Sequence, residues 1–208
     1  MNNVTNSKTC FMGILSCKKY KNRRDNQNLS NSIFEYKYFI GDPCLKSPVE
    51  EDQIVYLPCK DEYEFLSTKV LLMLDWIYKN KKFDYVFKTD DDIVFDFEKL
   101  QKLYYFVSSN NIKYAGHFIS GGSYFSSYHC DKCENEIKNY AIFVKACEYC
   151  AGGGYFLSKD AVQIIIEKNT DHNKIDSIFE DHFIGKFLNE NKIFPTSIDI
   201  QNQACFWQ

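Results

Sequence analysis

Three consecutive carboxylates, Asp90, Asp91 and Asp92, are the residues of this sequence best placed to do chemistry. They follow a short apolar run at residues 83–87, whose length and aromatic and β-branched content are typical of a buried strand. Acids that end a strand lie at the carboxyl edge of a sheet, where open α/β folds bind ligands. Because adjacent carboxylates repel one another, a hard divalent cation is their usual partner. A solvated acidic turn that caps the next helix is the alternative interpretation.

Hydrophobic periodicity predicts the elements that would position these acids. Strands are predicted at residues 10–16, 35–40 and 54–57, and a helix at residues 61–79, where the apolar residues recur at helical spacing. A further helix follows the acids, with Asp96 as its N-cap. Strands and helices therefore alternate through the first half of the chain, which predicts a mostly parallel sheet flanked by helices.

The second half of the chain carries two further patterns. Three successive glycines, Gly152, Gly153 and Gly154, precede an apolar strand and would let a ligand or another backbone approach closely. Glu180 and Asp181 lie in the predicted first turn of the last helix, where acids also interact favourably with the helix dipole. Neither pattern is specific by itself.

Four of the nine cysteines form two Cys-x-x-Cys pairs that are separated by thirteen residues, which is the spacing of a zinc ribbon. The pairs are Cys130 with Cys133 and Cys147 with Cys150. Four thiolates around Zn²⁺ would fix the loop between them, and the alternatives are two disulfides or thiols that merely lie in the core. A staple of either kind would be structural.

Composition excludes some functions. A chain of 208 residues with 45% hydrophobic content is expected to form one packed domain. A net charge of −3 gives no electrostatic reason to bind nucleic acid. The basic stretch at residues 18–24 would either meet a phosphate after the first strand or form a solvated face. The first apolar run, residues 10–15, is too short for a signal peptide or a membrane span.

Taken in order, these patterns resemble the inverting glycosyltransferases that include the β-1,3-galactosyltransferases, core 1 synthase and Fringe, glycosyltransferase family 31. The resemblance rests on the acidic motif at residues 88–92, the glycine motif at residues 149–161 and the Glu-Asp motif at residues 180–185. Residues 61–69 are similar to the segment that those enzymes place before the acidic motif. Three motifs in the right order make the resemblance specific.

The resemblance implies a GT-A fold, which is an α/β class with one nucleotide-binding, Rossmann-like domain and a mostly parallel central sheet. We therefore expect a single domain over residues 1–208. Residues 1–110 would form the nucleotide-binding half, and residues 111–208 the acceptor-binding half.

The resemblance also implies a reaction, which is the inverting transfer of a hexose from a UDP-sugar to a hydroxyl of a glycan or glycoprotein acceptor. Such transfer depends on Mn²⁺ or Mg²⁺. By position, Asp181 would be the general base and Glu180 its neighbour. Asp92 and Asp90 would bind the metal, and Asp90 and Asp91 would lie near the ribose and diphosphate.

Other positions would contribute to substrate binding according to the same resemblance. The glycines at residues 152–154 would form the floor of the sugar pocket, and Ser16 and Lys69 would lie at the donor site. The family's late histidine ligand has no counterpart, since no histidine follows His182. A third protein ligand for the metal is therefore not predicted.

Two other functions are compatible with the sequence. One is a zinc-stapled or disulfide-stapled module that binds a glycan or protein, and the other is a transferase that binds nucleotide without turnover. Family members usually carry an N-terminal Golgi membrane helix, and this sequence shows none. We expect a soluble cytoplasmic enzyme, or a Golgi-lumen enzyme if a native anchor is missing. The bias toward Asn, Lys, Ile and Tyr suggests an AT-rich viral or protist genome.

Overall fold

The computed structural model describes residues 8–169 and 177–207. Its strands are β1 (Cys10–Leu15), β2 (Glu35–Gly41), β3 (Val49–Glu51), β4 (Ile54–Leu57), β5 (Tyr85–Asp90), β6 (Ile93–Phe95), β7 (Tyr114–Gly121), β8 (Tyr124–Ser126), β9 (Ile142–Val144), β10 (Cys147–Ser158), β11 (Thr196–Ser197) and β12 (Cys205–Trp207). Its helices are α1 (Lys21–Asn26), α2 (Leu66–Asn80), α3 (Phe97–Ser109), α4 (Lys159–Lys168), α5 (Glu180–Glu190) and α6 (Ile200–Gln203).

Eight strands form the central sheet in the order β11-β7-β10-β5-β1-β2-β4-β3. The predicted parallel pairing is confirmed for β5, β1, β2 and β4. The long strand β10 runs antiparallel between β5 and β7, and it contains the glycine run that the sequence prediction placed before a strand. The fold is therefore a mixed α/β sheet of the GT-A, Rossmann-like kind, with β10 next to the strand that ends in Asp90.

Helices cover both faces of this sheet, which explains why the central strands β1 and β5 are buried along nearly their whole length. One core layer joins alternate sheet residues such as Phe11 and Val86 to α2, α4 and α5. The other layer joins Met12 and Phe87 to α3 and α6. None of the helices in the described parts of the chain is both long enough and apolar enough to cross a membrane.

Helix α2 begins five residues later than the sequence predicted. A 3-10 turn at Tyr63–Phe65 leads into it. Asp61 lies before this turn, where its carboxylate accepts hydrogen bonds from the backbone N–H groups of Lys18 (2.6 Å) and Gly41 (2.7 Å). It also accepts one from the side chain of Lys69, at 2.7 Å. The predicted N-cap Asp96 is confirmed, because its carboxylate accepts from the N–H of Lys99 at 3.1 Å.

Helix α5 packs directly on strand β10. A Cβ atom at Gly185 would clash with that of Tyr149 and would lie 2.9 Å from its Cα atom, so glycine is needed for this approach. The close packing places the first turn of α5, with Glu180 and Asp181, beside the glycine run of β10.

Of the three alternatives for the Cys-x-x-Cys pairs, the structure agrees with free thiols. All nine cysteines are free thiols, and among the described residues no group of three or more His, Cys, Asp or Glu side chains could hold a metal ion. Cys147 and Cys150 lie three residues apart on β10, and such side chains point to opposite faces of a strand, so they cannot bind one ion. Cys133 instead faces the carbonyl of His129 at 3.8 Å.

Candidate functional site

The three aspartates lie at the carboxyl edge of the parallel strands, as the sequence predicted. Asp90 ends β5 and pairs in register with Leu15, the last residue of β1. The next residues of these two segments meet as well, because the Ser16 hydroxyl donates a 2.5 Å hydrogen bond to Asp91. The turn of Asp91 and Asp92 then leads into β6.

Basic residues of α1 complete this acidic edge. The guanidinium of Arg23 lies 3.2 Å from Asp92 and 3.5 Å from Asp91, and it stacks on the Tyr20 ring at 3.9 Å. Arg24 donates to the Ser16 hydroxyl at 2.7 Å. Through Arg23 and Arg24 the basic stretch is therefore part of the site and not merely a solvated face. The contact of Arg23 with the aspartates joins segments that are distant in sequence, so local sequence patterns do not predict it.

The electrostatics of the acidic edge leave room for a further cation. Burial raises the pKa of Asp91, which the hydroxyl of Ser16 and the charge of Arg23 oppose. Burial and then the charge of Asp90 raise the pKa of Asp92. One oxygen of Asp92, Oδ1, is buried and has no hydrogen-bond partner among the described residues. An oxygen in that state has the chemistry of a ligand for a hard divalent ion.

A buried lysine connects the acidic edge to α5. The Lys88 ammonium is almost fully buried, and it binds Asp90 at 2.9 Å, the carbonyl of Gly152 at 2.7 Å and the carboxylate of Glu180. Burial opposes its charge, but Asp90 and Glu180 outweigh that effect and raise the pKa of Lys88. The sequence placed Lys88 in the acidic motif at residues 88–92, but its role was not predicted. Its signal was a lysine inside an apolar strand, which requires buried partners.

Glu180 is held by two buried donors. The Tyr155 hydroxyl donates to its second oxygen at 3.1 Å, and Lys88 binds the first. Burial, offset in part by Lys88, raises the pKa of Glu180 to about 7. Because Lys88 has two carboxylate partners, we assign the lysine as charged and Glu180 as the carboxyl group that protonates first.

Asp181 lies beside Glu180 and is only partly buried. Its carboxylate accepts hydrogen bonds from the N–H of Gly152 at 3.1 Å and from its own neighbour, the N–H of His182, at 2.8 Å. Burial raises its pKa, and those two N–H groups and the charge of Lys88 oppose the rise. Asp181 is therefore a fixed carboxylate with a raised pKa, which suits a general base.

The glycine run packs closely against side chains from other parts of the chain. A Cβ atom at Gly152 would lie 3.0 Å from Glu180 Oε1, and one at Gly153 would lie 3.0 Å from the Trp207 ring. At Gly154 it would lie 2.9 Å from the Phe87 ring. The run is thus explained by close packing, and its role as the floor of a sugar pocket stays a prediction.

Ser16 and Lys69 belong to the same edge of the sheet. The Lys69 ammonium is buried and donates to the Ser16 carbonyl at 2.8 Å and to Asp61 at 2.7 Å. Lys69 therefore supports the loop after β1 from beneath. Asp61, which the sequence analysis did not single out, joins that loop to β2 and α2.

The model of the family described as "Galactosyltransferase" matches residues 45–199, which is most of the chain. The chain belongs to the galactosyltransferase family. Comparison with curated proteins gives no match. One solved structure, "Crystal Structure of A197 from STIV", aligns with 91% of this chain and 81% of that one, at 14% sequence identity and a TM-score of 0.48.

Membership of the galactosyltransferase family makes the chain a glycosyltransferase with a sugar donor and an acceptor. The matched range contains the three aspartates, Lys88, the glycine run and Asp181. Ser16 and Arg23 lie before it, although the structure places both against the aspartates.

Proposed function

We propose that this galactosyltransferase-family chain is a metal-dependent, inverting transferase that moves a hexose from a UDP-sugar to a hydroxyl of a glycan or glycoprotein. One observation carries the proposal. Asp181 and the acidic edge are about ninety residues apart in sequence, yet one chain of contacts joins them: Lys88 binds Asp90 and the carbonyl of Gly152, and the N–H of Gly152 binds Asp181. A site that brings a fixed base next to clustered aspartates can hold an acceptor hydroxyl beside a nucleotide diphosphate.

Asp92 and Asp90 would hold Mn²⁺ or Mg²⁺. The unpartnered Oδ1 of Asp92 supports this assignment, because a buried carboxylate oxygen without a donor is costly unless a ligand satisfies it. When bound, the ion would act as a Lewis acid that offsets the charge on the leaving diphosphate. The remaining ligands would come from the diphosphate and from water, since the described residues offer no cluster of three such side chains.

Asp181 would take the proton of the acceptor hydroxyl. As the O–H bond breaks toward the Asp181 carboxylate, the acceptor oxygen forms a bond to the anomeric carbon. The bond from that carbon to the diphosphate oxygen breaks, and UDP leaves with the electron pair. A single displacement of this kind inverts the anomeric centre.

Lys88 would maintain the geometry of both halves of the site. It keeps Asp90 and Glu180 within one hydrogen-bonded cluster, and the Glu180 carboxylate in turn is fixed by Tyr155. Asp181 therefore has a rigid neighbour and two backbone N–H donors. Such support holds a base in its productive position without an ordering cost during the reaction.

Calorimetric titration of UDP tests the donor site. We expect UDP to bind the wild-type protein only when Mn²⁺ is present, and we expect Asp92→Ala to lose this binding because it removes the predicted main ligand. Asp160→Ala is the matched control, since Asp160 is an exposed aspartate on α4. If UDP fails to bind wild-type protein with Mn²⁺, the transferase proposal is refuted and a glycan-binding or protein-binding module replaces it.

Arg23→Gln is expected to strengthen the binding of Mn²⁺ to the protein in the absence of nucleotide. The guanidinium pairs with Asp91 and Asp92, so it competes with any other cation at that edge. Its removal should raise the affinity of the nucleotide-free protein for Mn²⁺ by about fivefold, as for loss of a partly exposed ion pair. The measurement is free Mn²⁺ by electron paramagnetic resonance, and Lys21→Gln on the same helix is the control. An unchanged or weaker affinity would show that Arg23 does not compete with the ion.

A transferase that binds nucleotide without turnover is the second candidate. The pairing of Arg23 with two aspartates favours it, because the chain's own cation already satisfies part of the acidic edge. Turnover of a UDP-sugar panel with Mn²⁺ separates the two candidates, since only an active enzyme releases UDP.

A further inference from the structure

Gln27 is a buried polar residue that the proposed chemistry does not use. It directly follows α1, and its backbone N–H closes that helix by binding the carbonyls of Arg23 and Arg24. Its side-chain amide reaches the two ends of the acidic turn, residues 90–93, which lie 63 and 66 residues later in the chain. A buried amide needs partners for its polar atoms, because burial without them is costly.

The Gln27 amide binds both ends of the acidic turn. Its Nε2 donates to the carbonyl oxygen of Ile93 at 2.8 Å and, at the longer distance of 3.3 Å, to that of Asp90. Its Oε1 accepts from the Tyr38 hydroxyl at 3.0 Å. The orientation of the amide is fixed, because carbonyl oxygens only accept hydrogen bonds and therefore need the NH₂ end.

The register of β6 directs the Ile93 carbonyl toward Gln27. Where β6 pairs with β12, the N–H of Asp96 binds the carbonyl of Ala204. Bonded residues alternate along an antiparallel ladder, so Val94 faces β12 and the Ile93 carbonyl points to the other side. Pairing with β12 cannot satisfy this carbonyl, and Gln27 supplies its donor.

One short segment of the chain thereby contacts all four residues of the turn. Gln27 binds the carbonyls at the two ends, and Arg23 pairs with the carboxylates of Asp91 and Asp92 between them. The two contacts differ in kind. The Arg23 side chain is 35% exposed, so another cation can displace it, whereas the Gln27 amide is buried and binds backbone. The Gln27 contact can therefore persist when an ion enters.

We propose that Gln27 is a positioning residue, which holds the acidic turn in the conformation that binds the metal ion. The inference rests on the proposed function and deepens it, because it adds a residue that lies before the family match at residues 45–199. Gln27 does not ligate the ion. It acts through the carbonyls of Asp90 and Ile93, which fixes the backbone that carries the three carboxylates. Tyr38 acts through Gln27, since its hydroxyl orients the amide.

Calorimetry of UDP with Mn²⁺ tests the proposal on the full chain. Gln27→Met keeps the length of the side chain and removes its donors, so it should weaken this binding by about tenfold, as for a buried carbonyl left without its donor. Tyr38→Phe, the milder variant, should weaken it by about threefold, as for one lost neutral hydrogen bond. Added to Gln27→Met, it should have no further effect. Tyr104→Phe is the matched control, because it removes a hydroxyl that binds the carbonyl of Lys8 in the same core layer as Tyr38.

Amide hydrogen exchange of the metal-free protein distinguishes positioning from a general loss of stability. The N–H of Asp91 binds the carbonyl of Leu15 at the acidic edge, and the N–H of Tyr85 binds that of Thr9 at the opposite end of β5. Gln27→Met should speed exchange of the Asp91 amide by about tenfold and leave the Tyr85 amide unchanged. A merely structural role would speed both alike.

Two results would overturn the proposal, namely equal UDP affinity of wild type and Gln27→Met in the presence of Mn²⁺, or equal acceleration of the two amides. The failure of the proposed function is distinguishable from either. If UDP does not bind the wild type with Mn²⁺, the transferase proposal fails, and amide exchange, which needs no ligand, still decides whether Gln27 fixes the turn. If UDP binds wild type and Gln27→Met equally well, the positioning inference alone fails.

Discussion

Asp181→Asn is expected to lower the rate of sugar transfer by between about a hundredfold and ten-thousandfold, the range for loss of a general base. The amide is nearly isosteric and can still accept a hydrogen bond from the Gly152 N–H, so the local structure should persist. It cannot take up a proton from the acceptor. The predicted contact of Asp181 with the acceptor proton forms in the transition state and not on nucleotide binding. Affinity for UDP with Mn²⁺ should therefore stay within about twofold of the wild-type value.

The control for this substitution lies at the far end of the same helix. Glu190→Gln changes an exposed carboxylate of α5 and should leave transfer unaffected. The measurements are the steady-state release of UDP and UDP calorimetry. Should Asp181→Asn retain a tenth of wild-type turnover, Asp181 is not the base.

The pH dependence of transfer provides a second readout of Asp181. The active form of a general base is deprotonated, so activity disappears as the pH falls through its pKa. Burial raises the pKa of Asp181 above the usual 3.8, and the acid limb of kcat/KM should lie correspondingly above that value. The residual activity of Asp181→Asn should lack this limb.

Lys88→Met is expected to cause the largest loss of stability, roughly 3–5 kcal/mol, because it leaves buried carboxylates without their cation. The ammonium is 1% exposed and contacts Asp90, Glu180 and the Gly152 carbonyl. Urea unfolding monitored by circular dichroism measures the effect. Lys102→Met removes an exposed lysine that pairs with Glu98 on α3, and it should unfold like the wild type.

The loss should depend on pH in a definite direction. In the folded protein the pKa of Glu180 is already raised to about 7, so protonation of Glu180 stabilises the folded state relative to the unfolded chain. Removal of the Lys88 charge should raise that pKa further. The folded variant then binds a proton more tightly than the unfolded chain does, so its stability should recover as the pH falls from 8 to 5. Glu180→Gln added to Lys88→Met should restore part of the lost stability at pH 8. A destabilisation that is the same at both pH values would contradict a buried charge as its cause.

The acidic edge was predictable because its signals are local. A short apolar run ending in acids, the helical spacing of α2 and the Asp96 cap are each encoded within a few residues, and the parallel pairing of β1, β2, β4 and β5 follows from their alternation with helices. The resemblance to the family, based on motif order, agrees with the family match.

Other features could not be predicted from the sequence because they depend on contacts between segments that are distant in the chain. Strand β10 pairs antiparallel through a run of glycines that reads locally as a loop. Arg23 meets Asp92 across 69 residues, and Lys88 meets Glu180 across 92. The cysteine spacing left its three alternatives open for the same reason. Its first pair lies in a loop and its second on an extended strand, and only the folded geometry shows that they do not converge.

The pairing of β12 with β6 affects the order in which the site can be completed during synthesis. Trp207 pairs with Ile93, the residue directly after Asp92, and its ring lies over Gly153. A ribosome releases the chain from its N-terminus, so the segment behind the aspartates gains its partner strand only after residues 205–207 have emerged. Most of the central sheet can assemble before then. The segment that follows the aspartates is thus among the last parts of the domain to become rigid.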